Sequence, residues 1–394
     1  MKPEYSEGGD FVAAAKALQP LIEKHANDTE EQRSVAKPVI EALIDAHLLE
    51  LFVPREVGGS ETDAVSAHEV IEAISYADGS TGWSVMALSV SSGQSASQLP
   101  DDGVAELFRP GAQATVAGQG PPNGVAELAD GGYRVTGNWN YGSGITHATW
   151  VFAGCGVVED GKPVLDANGQ PKLVFVVVPR QDIRLLDNWH VLGLEGTGSF
   201  DFAIEGIFVP DRLTHTPHLM VPRRGRLFRY GLVGVANLGH TAVALGVARR
   251  ALDEIKALAL AKHGPYGRIA DFEPFLDSLG RAEAKLRAAR ALSIAAHAHC
   301  QDRIDAGETV TVDDLTLVRA ATLQAHEAAA DVGEFAHRAG GGVSLREGSL
   351  LNRCFRDIFG MTQHVVVGLH GFRDCGRGFL GDGDDLAWSM VGLR

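Results

Sequence analysis

The chain has 394 residues, of which 45% are hydrophobic and 22% charged, and its formal net charge is −15. Such a composition is that of an ordinary globular protein, and the length exceeds what one hydrophobic core usually supports. The negative charge argues against a nucleic-acid partner, because phosphate repels it. No apolar run reaches the roughly 18 residues of a membrane span, and residues 1–4 do not read as the start of a secretion signal. We therefore expect a cytoplasmic protein with no membrane partner.

The four cysteines are far apart, and no two of them form a C-x-x-C pair. They are Cys155, Cys300, Cys354 and Cys375. This spacing indicates neither a zinc site nor a disulfide framework. We expect reduced, mostly buried thiols and no bound metal.

The first part of the chain has the periodicity of helices. Apolar residues recur at a spacing of four, as in Val35, Val39 and Leu43. One new helix is expected after Asp63, which is a good N-cap residue, and another is expected from Ser80. These signals predict an N-terminal helical domain over residues 1–111.

The pattern changes to short strands near Ala112. Val125–Leu128 and Tyr133–Val135 flank the turn residues 129–132, which predicts a β-hairpin. Further short apolar runs follow, at Trp150–Ala153, Leu173–Val178, Ile183–Leu186 and Phe200–Phe208. Their spacing predicts a central antiparallel, barrel-like β domain over residues 112–222.

Long runs of helix-forming residues return after Pro222 and continue toward the end of the chain. They cover Thr241–Ala261, Phe275–Ala298, Val312–Arg338 and Ser349–His364. Their length and amphipathic pattern predict a C-terminal four-helix bundle over residues 223–394. The predicted fold class is α+β, mainly α, in the order helical domain, β domain, helical bundle.

Several segments in this order resemble the acyl-CoA dehydrogenase-like superfamily. They are Leu51–Gly59 (LFVPREVGG), Gly193–Ser199 (GLEGTGS), Ile207–Pro210 (IFVP) and Gly340–Ser344 (GGGVS). Each match alone is weak, but together they extend over nearly the whole chain in the correct order. The resemblance implies the fold of that superfamily.

Two further segments resemble the reduced-flavin monooxygenases within the superfamily, which are the oxygenase halves of two-component aromatic hydroxylases. These are Gly137–Gly144 (GNWNYGSG) and Leu351–Asp357 (LNRCFRD), the second followed seven residues later by His364. The resemblance implies an enzyme that uses FMNH2 or FADH2 and O2, through a C4a-hydroperoxyflavin, to hydroxylate an aromatic or related small organic substrate. It also implies a separate NAD(P)H:flavin reductase as partner, and a homotetramer.

Ser143 and His364 are the catalytic residues that the resemblance implies. A hydroxyl at the rim of a sheet can accept a hydrogen bond from flavin N5–H, which we expect of Ser143; the alternative is an ordinary turn serine. His364 is expected to face the substrate as a general base, with an ordinary pKa near 6.5. The alternatives are a structural histidine or the nearby His370 as the base. Since Arg353 and Asp357 are four residues apart on one helix face, we also expect them to pair.

Other residues complete the expected site. Cofactor contacts are expected from Trp83, Trp139, Tyr141, Ser143, Gly341 and Gly342. Large aromatic residues more often fill a core, and glycine pairs often end helices, so a structural role is the alternative for each. Substrate contacts are expected from Ser91 and Ser92, together with His364. Several hydroxylases have a histidine near the position of these two serines, which leaves indole, amine, sulfur and polyketide substrates open.

Two other functions stay open. A true acyl-CoA dehydrogenase needs a carboxylate base, which many members carry after the penultimate helix, but Val365–Gly371 contains no acidic residue. A fold relative without catalysis is the second alternative, because folds outlive functions. The motif G-x-G-x-x-G at Gly376–Gly381 lies too close to the C-terminus for a βαβ unit, so we reject a dinucleotide site there.

Overall fold

The computed structural model describes residues 9–109, 111–216, 222–264, 267–368 and 370–382. Its N-terminal part is helical, as predicted. The helices are α1 (Gly9–Lys24), α2 (Ala26–Gln32), α3 (Lys37–Asp45), α4 (Ala64–Ala77), α5 (Gly79–Gln98) and α6 (Asp101–Leu107). As the sequence indicated, α4 begins directly after its N-cap Asp63, whose side chain accepts a hydrogen bond from the Ser66 backbone N–H at 2.9 Å.

Helix α5 passes through the middle of the molecule, and almost all of its side chains are buried. It consists largely of glycine, serine and alanine, so neighbouring elements approach its backbone closely. A Cβ atom on Gly82 would lie 1.9 Å from Ser75 Oγ, and one on Gly93 would lie 2.6 Å from the Phe52 carbonyl oxygen. The N-cap of the helix is Asp78, whose carboxylate accepts hydrogen bonds at 2.7 Å from both the backbone N–H and the hydroxyl of Thr81. A cap and small residues thus hold α5 between the sheet and the bundle.

The central part of the chain forms an eight-stranded sheet in the described residues. The strands are β1 (Val116–Ala129), β2 (Gly132–Gly142), β3 (Trp150–Glu159), β4 (Lys162–Pro163), β5 (Leu173–Pro179), β6 (Arg184–Leu185), β7 (Phe200–Pro210) and β8 (Thr214–His215). The order is β6-β7-β2-β1-β3-β5-β8, and β4 pairs with β3. The expected hairpin is present, with Ala129 opposite Gly132.

The sheet differs from the predicted barrel in two respects. It is mixed, since β1 and β3 are parallel, and it is not closed into a barrel. Residues 143–149 carry the chain from β2 past β1, so β3 joins the far side of β1 in the same direction. The alternation of apolar and polar residues indicates strands but does not indicate which strands are neighbours. The connection 143–149 contains Ser143.

The C-terminal part is the predicted helical bundle. Its helices are α7 (Gly231–Ala261), α8 (Glu273–Asp305), α9 (Val312–Gly340), α10 (Leu350–Met361) and α11 (Gly371–Phe379). A two-stranded ribbon, β9 (His263–Gly264) and β10 (Gly267–Arg268), follows α7. Helix α9 begins with a capping box, in which Thr311 and Asp314 each bind the other's backbone N–H. The exact domain boundaries stay a prediction.

All four cysteines are free and buried. Within the described ranges, no helix is long and apolar enough to cross a membrane.

Candidate active site

Ser143 lies just beyond the end of β2, where the strand pairing is irregular. The register of β2 against β7 shifts between Trp139 and Gly142, and Tyr141 has a positive φ of 64°. Asp201 of β7 stabilises this bulge by accepting hydrogen bonds from the Asn140 side chain at 2.8 Å and from the Tyr141 N–H at 3.2 Å. Bulges redirect side chains at strand ends. Here the bulge brings Ser143 to the residue that precedes β7, Ser199.

Four side chains form a continuous hydrogen-bond chain at this point. The Trp83 indole N–H donates to Ser143 Oγ at 3.1 Å, and Ser143 Oγ lies 2.7 Å from Ser199 Oγ. Ser199 Oγ lies 2.7 Å from Thr197 Oγ1, which donates to the Leu194 carbonyl at 2.7 Å. We call this set, Trp83, Ser143, Ser199, Thr197 and the Leu194 carbonyl, the serine chain.

Each hydroxyl has one proton to donate, and this determines which group donates and which accepts at each step of the serine chain. A carbonyl only accepts, so Thr197 uses its single proton on Leu194 and must accept from Ser199. Ser199 therefore accepts a hydrogen bond from Ser143, and this bond uses the only hydroxyl proton of Ser143. Ser143 Oγ already accepts from the Trp83 N–H, and its second lone pair remains. The hydroxyl of Ser143 is consequently a hydrogen-bond acceptor toward any further ligand.

Trp83 connects the serine chain to two histidines. Its ring is edge-on to His240 of α7 at a centroid distance of 4.8 Å and to His364 at 5.5 Å. The two imidazole rings lie 4.2 Å apart. The structure thus brings together Trp83, Ser143 and His364, three residues that are far apart in sequence and that the sequence had singled out.

His364 lies in the turn after α10, and its Nδ1 accepts a hydrogen bond from the Val366 backbone N–H at 3.2 Å. The proton of the neutral ring is therefore on Nε2. Burial, together with the charges of His326 and Arg319, lowers the pKa of His364 to about 4. At neutral pH the ring is uncharged and presents an N–H donor, which differs from the expected general base of pKa near 6.5. His370, which the sequence offered as the alternative general base, is exposed at the start of α11.

Three buried residues around His364 were not expected from the sequence: His240, His326 and Arg319. Burial lowers the pKa of His326 to about 4, and it holds the pKa of His240 well below 6.5. Arg319 of α9 is only 1% exposed. A signal was present, because Arg319, Thr322 and His326 recur at helical spacing among the apolar residues of α9, where a bundle helix faces its core.

Two buried aspartates, Asp357 and Asp78, lie next to the segments that carry the serine chain. Asp357 accepts a hydrogen bond from the Leu194 N–H at 2.6 Å, so it binds the same residue whose carbonyl ends the chain. Burial and the charge of Asp78 raise the pKa of Asp357 to about 7. Burial also raises the pKa of Asp78, the cap of α5. The expected pair of Arg353 and Asp357 is wrong: Arg353 pairs with Glu30 at 3.1 Å, because α10 turns Asp357 toward Leu194.

The other expected cofactor residues lie apart from this cluster. Trp139 is fully buried in the sheet, stacks on Phe202 at 5.3 Å and donates to the Gly154 carbonyl at 2.9 Å. These contacts are those of a core residue. Tyr141 is 60% exposed on the outside of the bulge, with its ring edge-on to Trp189.

The remaining expected residues have different surroundings. Gly341 and Gly342 lie in an exposed turn after α9. On α5, Ser92 is fully buried and accepts a hydrogen bond from the Val116 N–H at 2.9 Å, which ties the helix to β1. Its neighbour Ser91 is also buried.

Comparison with known proteins supports the same fold. The N-terminal domain of acyl-CoA dehydrogenases matches residues 12–103, and the C-terminal domain of acyl-CoA dehydrogenases matches residues 238–368. Among solved structures, XiaF from Streptomyces sp. in complex with FADH2 and glycerol superimposes with a TM-score of 0.86. It is 25% identical, and the match covers 95% of this chain and 96% of XiaF.

Relatives of known activity are flavin enzymes. Indole-3-acetate monooxygenase of Pseudomonas putida is 32% identical over 94% of this chain and 95% of its own length. The oxygenase component of the FADH2-dependent resorcinol hydroxylase of Rhizobium sp. is 27% identical over 91% and 90%, respectively. Together with the two matched domains, these relatives assign the family. The chain belongs to the flavin-dependent monooxygenases of the acyl-CoA dehydrogenase-like fold.

Proposed function

We propose that this protein is an oxygenase component that inserts one atom of O2 into an aromatic or related small organic substrate. It receives FMNH2 or FADH2 from a separate NAD(P)H:flavin reductase. When bound, reduced flavin and O2 together supply the reactive oxygen atom, and the protein supplies binding, orientation and electrostatics. The residues in these roles are Ser143, Trp83 and His364.

The observation that carries this proposal is the acceptor character of Ser143. A reduced flavin carries a proton on N5 and is a donor at that atom, so it complements the free lone pair of the Ser143 hydroxyl. An oxidised flavin has no proton there and would place an acceptor against an acceptor. The serine chain therefore fits the reduced cofactor and disfavours the oxidised one. An enzyme that takes flavin already reduced requires this preference.

Trp83 has two roles in the proposal. Its N–H occupies one lone pair of Ser143, and Gly144 beside that serine packs against Leu88 of the same helix, where an added Cβ would lie 2.9 Å from Leu88 Cγ. These contacts hold the hydroxyl in one place, which a hydrogen bond to a cofactor atom needs. The indole ring also covers His240 and His364, and so excludes water from them.

His364 is proposed as a hydrogen-bond donor to the substrate or to the oxygen that is transferred. Its Nδ1 accepts from Val366, so its Nε2–H is the available group. This differs from proton abstraction, because a ring with a pKa of about 4 is a weak base at neutral pH. The donor role needs no change of charge during the reaction.

Dehydrogenation of an acyl-CoA is not favoured. The segment Val365–Gly371 contains no carboxylate, and this is the segment where many dehydrogenases carry their base. The buried carboxylates nearest the serine chain, Asp78 and Asp357, are already bonded to Thr81 and to the Leu194 N–H.

The test is incorporation of isotopic oxygen. The purified protein is mixed with a flavin reductase, NADH, FMN or FAD, a panel of aromatic compounds and 18O2. We expect a product heavier by one 18O atom, as measured by mass spectrometry, and only when both proteins are present. Product formation without O2, or hydrogen peroxide as the sole product with every compound of a broad panel, argues against the proposal.

We also propose a cytoplasmic homotetramer, in which Gly341 and Gly342 approach a flavin held by a neighbouring subunit. Gly341 has a φ of 56°, and no other described part of this chain lies within 4 Å of a Cβ added at either glycine. This open, side-chain-free surface is suited to close approach by a ligand. Mass photometry is expected to give four times the mass of one chain, and a monomer at micromolar concentration contradicts the proposal.

A further inference from the structure

Among the residues that the structure describes, Arg319 is a buried cation without a matching anion. It lies on α9 at 1% exposure, and no carboxylate of the described residues lies within the 4.0 Å of an ion pair. Its Nη1 makes a 3.4 Å hydrogen bond to Asn237 Oδ1, and its Nε has no partner there. The carboxylate whose charge acts on it most, Asp374 of α11, is hydrogen-bonded to Arg373 at 2.7 Å. Burying an unpaired guanidinium is costly, so such a residue usually has a partner.

The groups around Arg319 are neutral. His240, His326 and His364 each have a pKa lowered by burial, and the charge of Arg319 contributes in every case. Arg319 therefore carries the positive charge of this cluster. His240 Nδ1 and His326 Nε2 are also buried without a partner among the described residues. Three unpartnered nitrogen atoms on two adjacent helices indicate a place for a polar ligand group.

The cluster is unsuited to a cation. The guanidinium repels metal ions, and the described residues contain no group of three or more histidine, cysteine, aspartate or glutamate side chains that could hold one. It is suited to a planar anion, since the guanidinium presents parallel N–H groups that match the two oxygens of a carboxylate.

We propose that Arg319 binds a carboxylate of the substrate, so that the protein acts on aromatic acids. This inference rests on the proposed function, because it places the substrate between the serine chain and α9. His364 lies between the serine chain and α9, since its ring contacts Trp83 and the charge of Arg319 lowers its pKa. A substrate anchored at Arg319 extends past the Nε2–H of His364 toward Ser143, and an anchor of this kind fixes which ring carbon faces the transferred oxygen.

The first experiment compares acids with their uncharged amides. Indole-3-acetate and phenylacetate, each with its primary amide as a control of equal size, are titrated by calorimetry into the purified protein with and without reduced flavin. We expect the acid to bind on the order of 100-fold more tightly than the amide, as for a buried charged pair. In Arg319→Gln this ratio is expected to fall to about one. Equal binding of acid and amide by the wild-type protein overturns the inference.

Folding gives a second, independent readout. Because the guanidinium has no ion-pair partner in the described part of the chain, Arg319→Met is expected to leave the unfolding temperature of the ligand-free protein unchanged or raised. The matched control is Arg353→Met, which breaks the pair with Glu30 at 3.1 Å and is expected to lower the unfolding temperature. The acid should raise the unfolding temperature of the wild type and not that of Arg319→Met. A lowered unfolding temperature in Arg319→Met, as for Arg353→Met, shows that Arg319 is structural and contradicts the inference.

The failures of the two proposals are distinguishable. If Arg319→Gln weakens reduced-flavin binding and leaves the ratio of acid to amide unchanged, Arg319 serves the cofactor and the carboxylate inference is wrong. If the wild-type protein binds no reduced flavin, the proposed function itself is wrong, whatever the ratio.

Discussion

The indole N–H of Trp83 donates a hydrogen bond to the hydroxyl of Ser143 at 3.1 Å, and this contact joins the buried helix α5 to the connection between β2 and β3. From Ser143 the serine chain runs in one direction to the Leu194 carbonyl. The direction follows from the number of protons available, so it makes Ser143 an acceptor. In the proposed function, this single polar contact between helix and sheet links the fold to the redox state of the cofactor.

Ser143→Ala is expected to weaken binding of reduced flavin about tenfold, the equivalent of one lost hydrogen bond. It should also raise the fraction of consumed O2 that appears as hydrogen peroxide, because the cofactor is held less firmly. Anaerobic titration measures the binding of reduced flavin, and a peroxide assay measures the hydrogen peroxide released. The control is Ser84→Ala on α5, whose hydroxyl bonds to the Ser80 carbonyl outside the serine chain. Equal peroxide release by wild type and Ser143→Ala would show that the Ser143 hydroxyl does not hold the flavin.

Thr197→Val tests the direction of the serine chain at its far end. Valine has nearly the shape of threonine but no hydroxyl, so Ser199 loses its acceptor and the protons of the chain are no longer ordered. We expect the ratio of oxidised-flavin to reduced-flavin dissociation constants to fall several-fold toward one, with little change in overall binding. Thr316→Val is the control, since that hydroxyl bonds to the carbonyl of Val312 within α9. An unchanged ratio in Thr197→Val means that the direction of the chain does not select the redox state.

His364→Gln separates a hydrogen-bond donor from a base. Glutamine keeps an N–H near the position of Nε2 but cannot take up a proton, whereas alanine keeps neither property. We expect coupling of O2 consumption to product to be partly retained in His364→Gln and lost in His364→Ala. The exposed His370 provides the control His370→Gln, which should behave as the wild type. Equal loss in the glutamine and alanine variants supports a base instead.

Acid is expected to destabilise the fold through its buried histidines. The folded-state pKa of His326 and of His364 is lowered to about 4, so the unfolded chain takes up protons near pH 6.5 while the folded protein does not. Stability from these groups is thus present above pH 6.5 and is lost as the pH falls toward 4. Each contributes a loss of about 2 kcal/mol between pH 6.5 and 5. Urea unfolding at pH 7 and pH 5 measures the total.

Asp357 changes the stability of the fold with pH in the opposite direction to the histidines, and Asp357→Asn isolates its effect. Its folded pKa of about 7 lies above the ordinary 3.8, so its contribution to stability is full below about pH 3.8 and is lost as the pH rises through 7. Asparagine can still accept from the Leu194 N–H but does not titrate. We expect the loss of unfolding free energy between pH 7 and pH 5 to be about 2 kcal/mol larger in the variant. The same loss in both proteins would show that Asp357 does not titrate in this range.

Much of the fold follows from the sequence because its signals are local. Asp63 caps α4 as expected, and the turn before Gly132 forms the hairpin with Ala129 opposite. The sequence predicted an antiparallel sheet and missed the parallel pairing of β1 with β3, because strand order depends on where residues 143–149 cross the sheet. Local pattern does not encode that path.

The site was less predictable than the fold. Trp83, Ser143 and His364 were identified because short motifs resemble a family, and the structure places them together. The roles of Ser199 and Thr197 depend on hydrogen bonds between hydroxyls from two separate segments, and the sequence alone does not show that these hydroxyls meet. Likewise, the proposed donor role of His364 depends on the Val366 N–H that binds its Nδ1. Trp139 has the same residue type as Trp83, but Gly124 of β1 and Gly137 of its own strand β2 leave room for its ring inside the sheet.

The central claim is that this protein selects reduced flavin through the acceptor hydroxyl of Ser143. Its most direct test is anaerobic equilibrium titration of the flavin-free protein with FMN and FAD, each in oxidised and reduced form. We predict that one of the two flavins binds at least about tenfold more tightly when reduced, and that Ser143→Ala abolishes this preference. Oxidised flavin that binds as tightly as reduced flavin, and that is bleached by an acyl-CoA, would contradict the account.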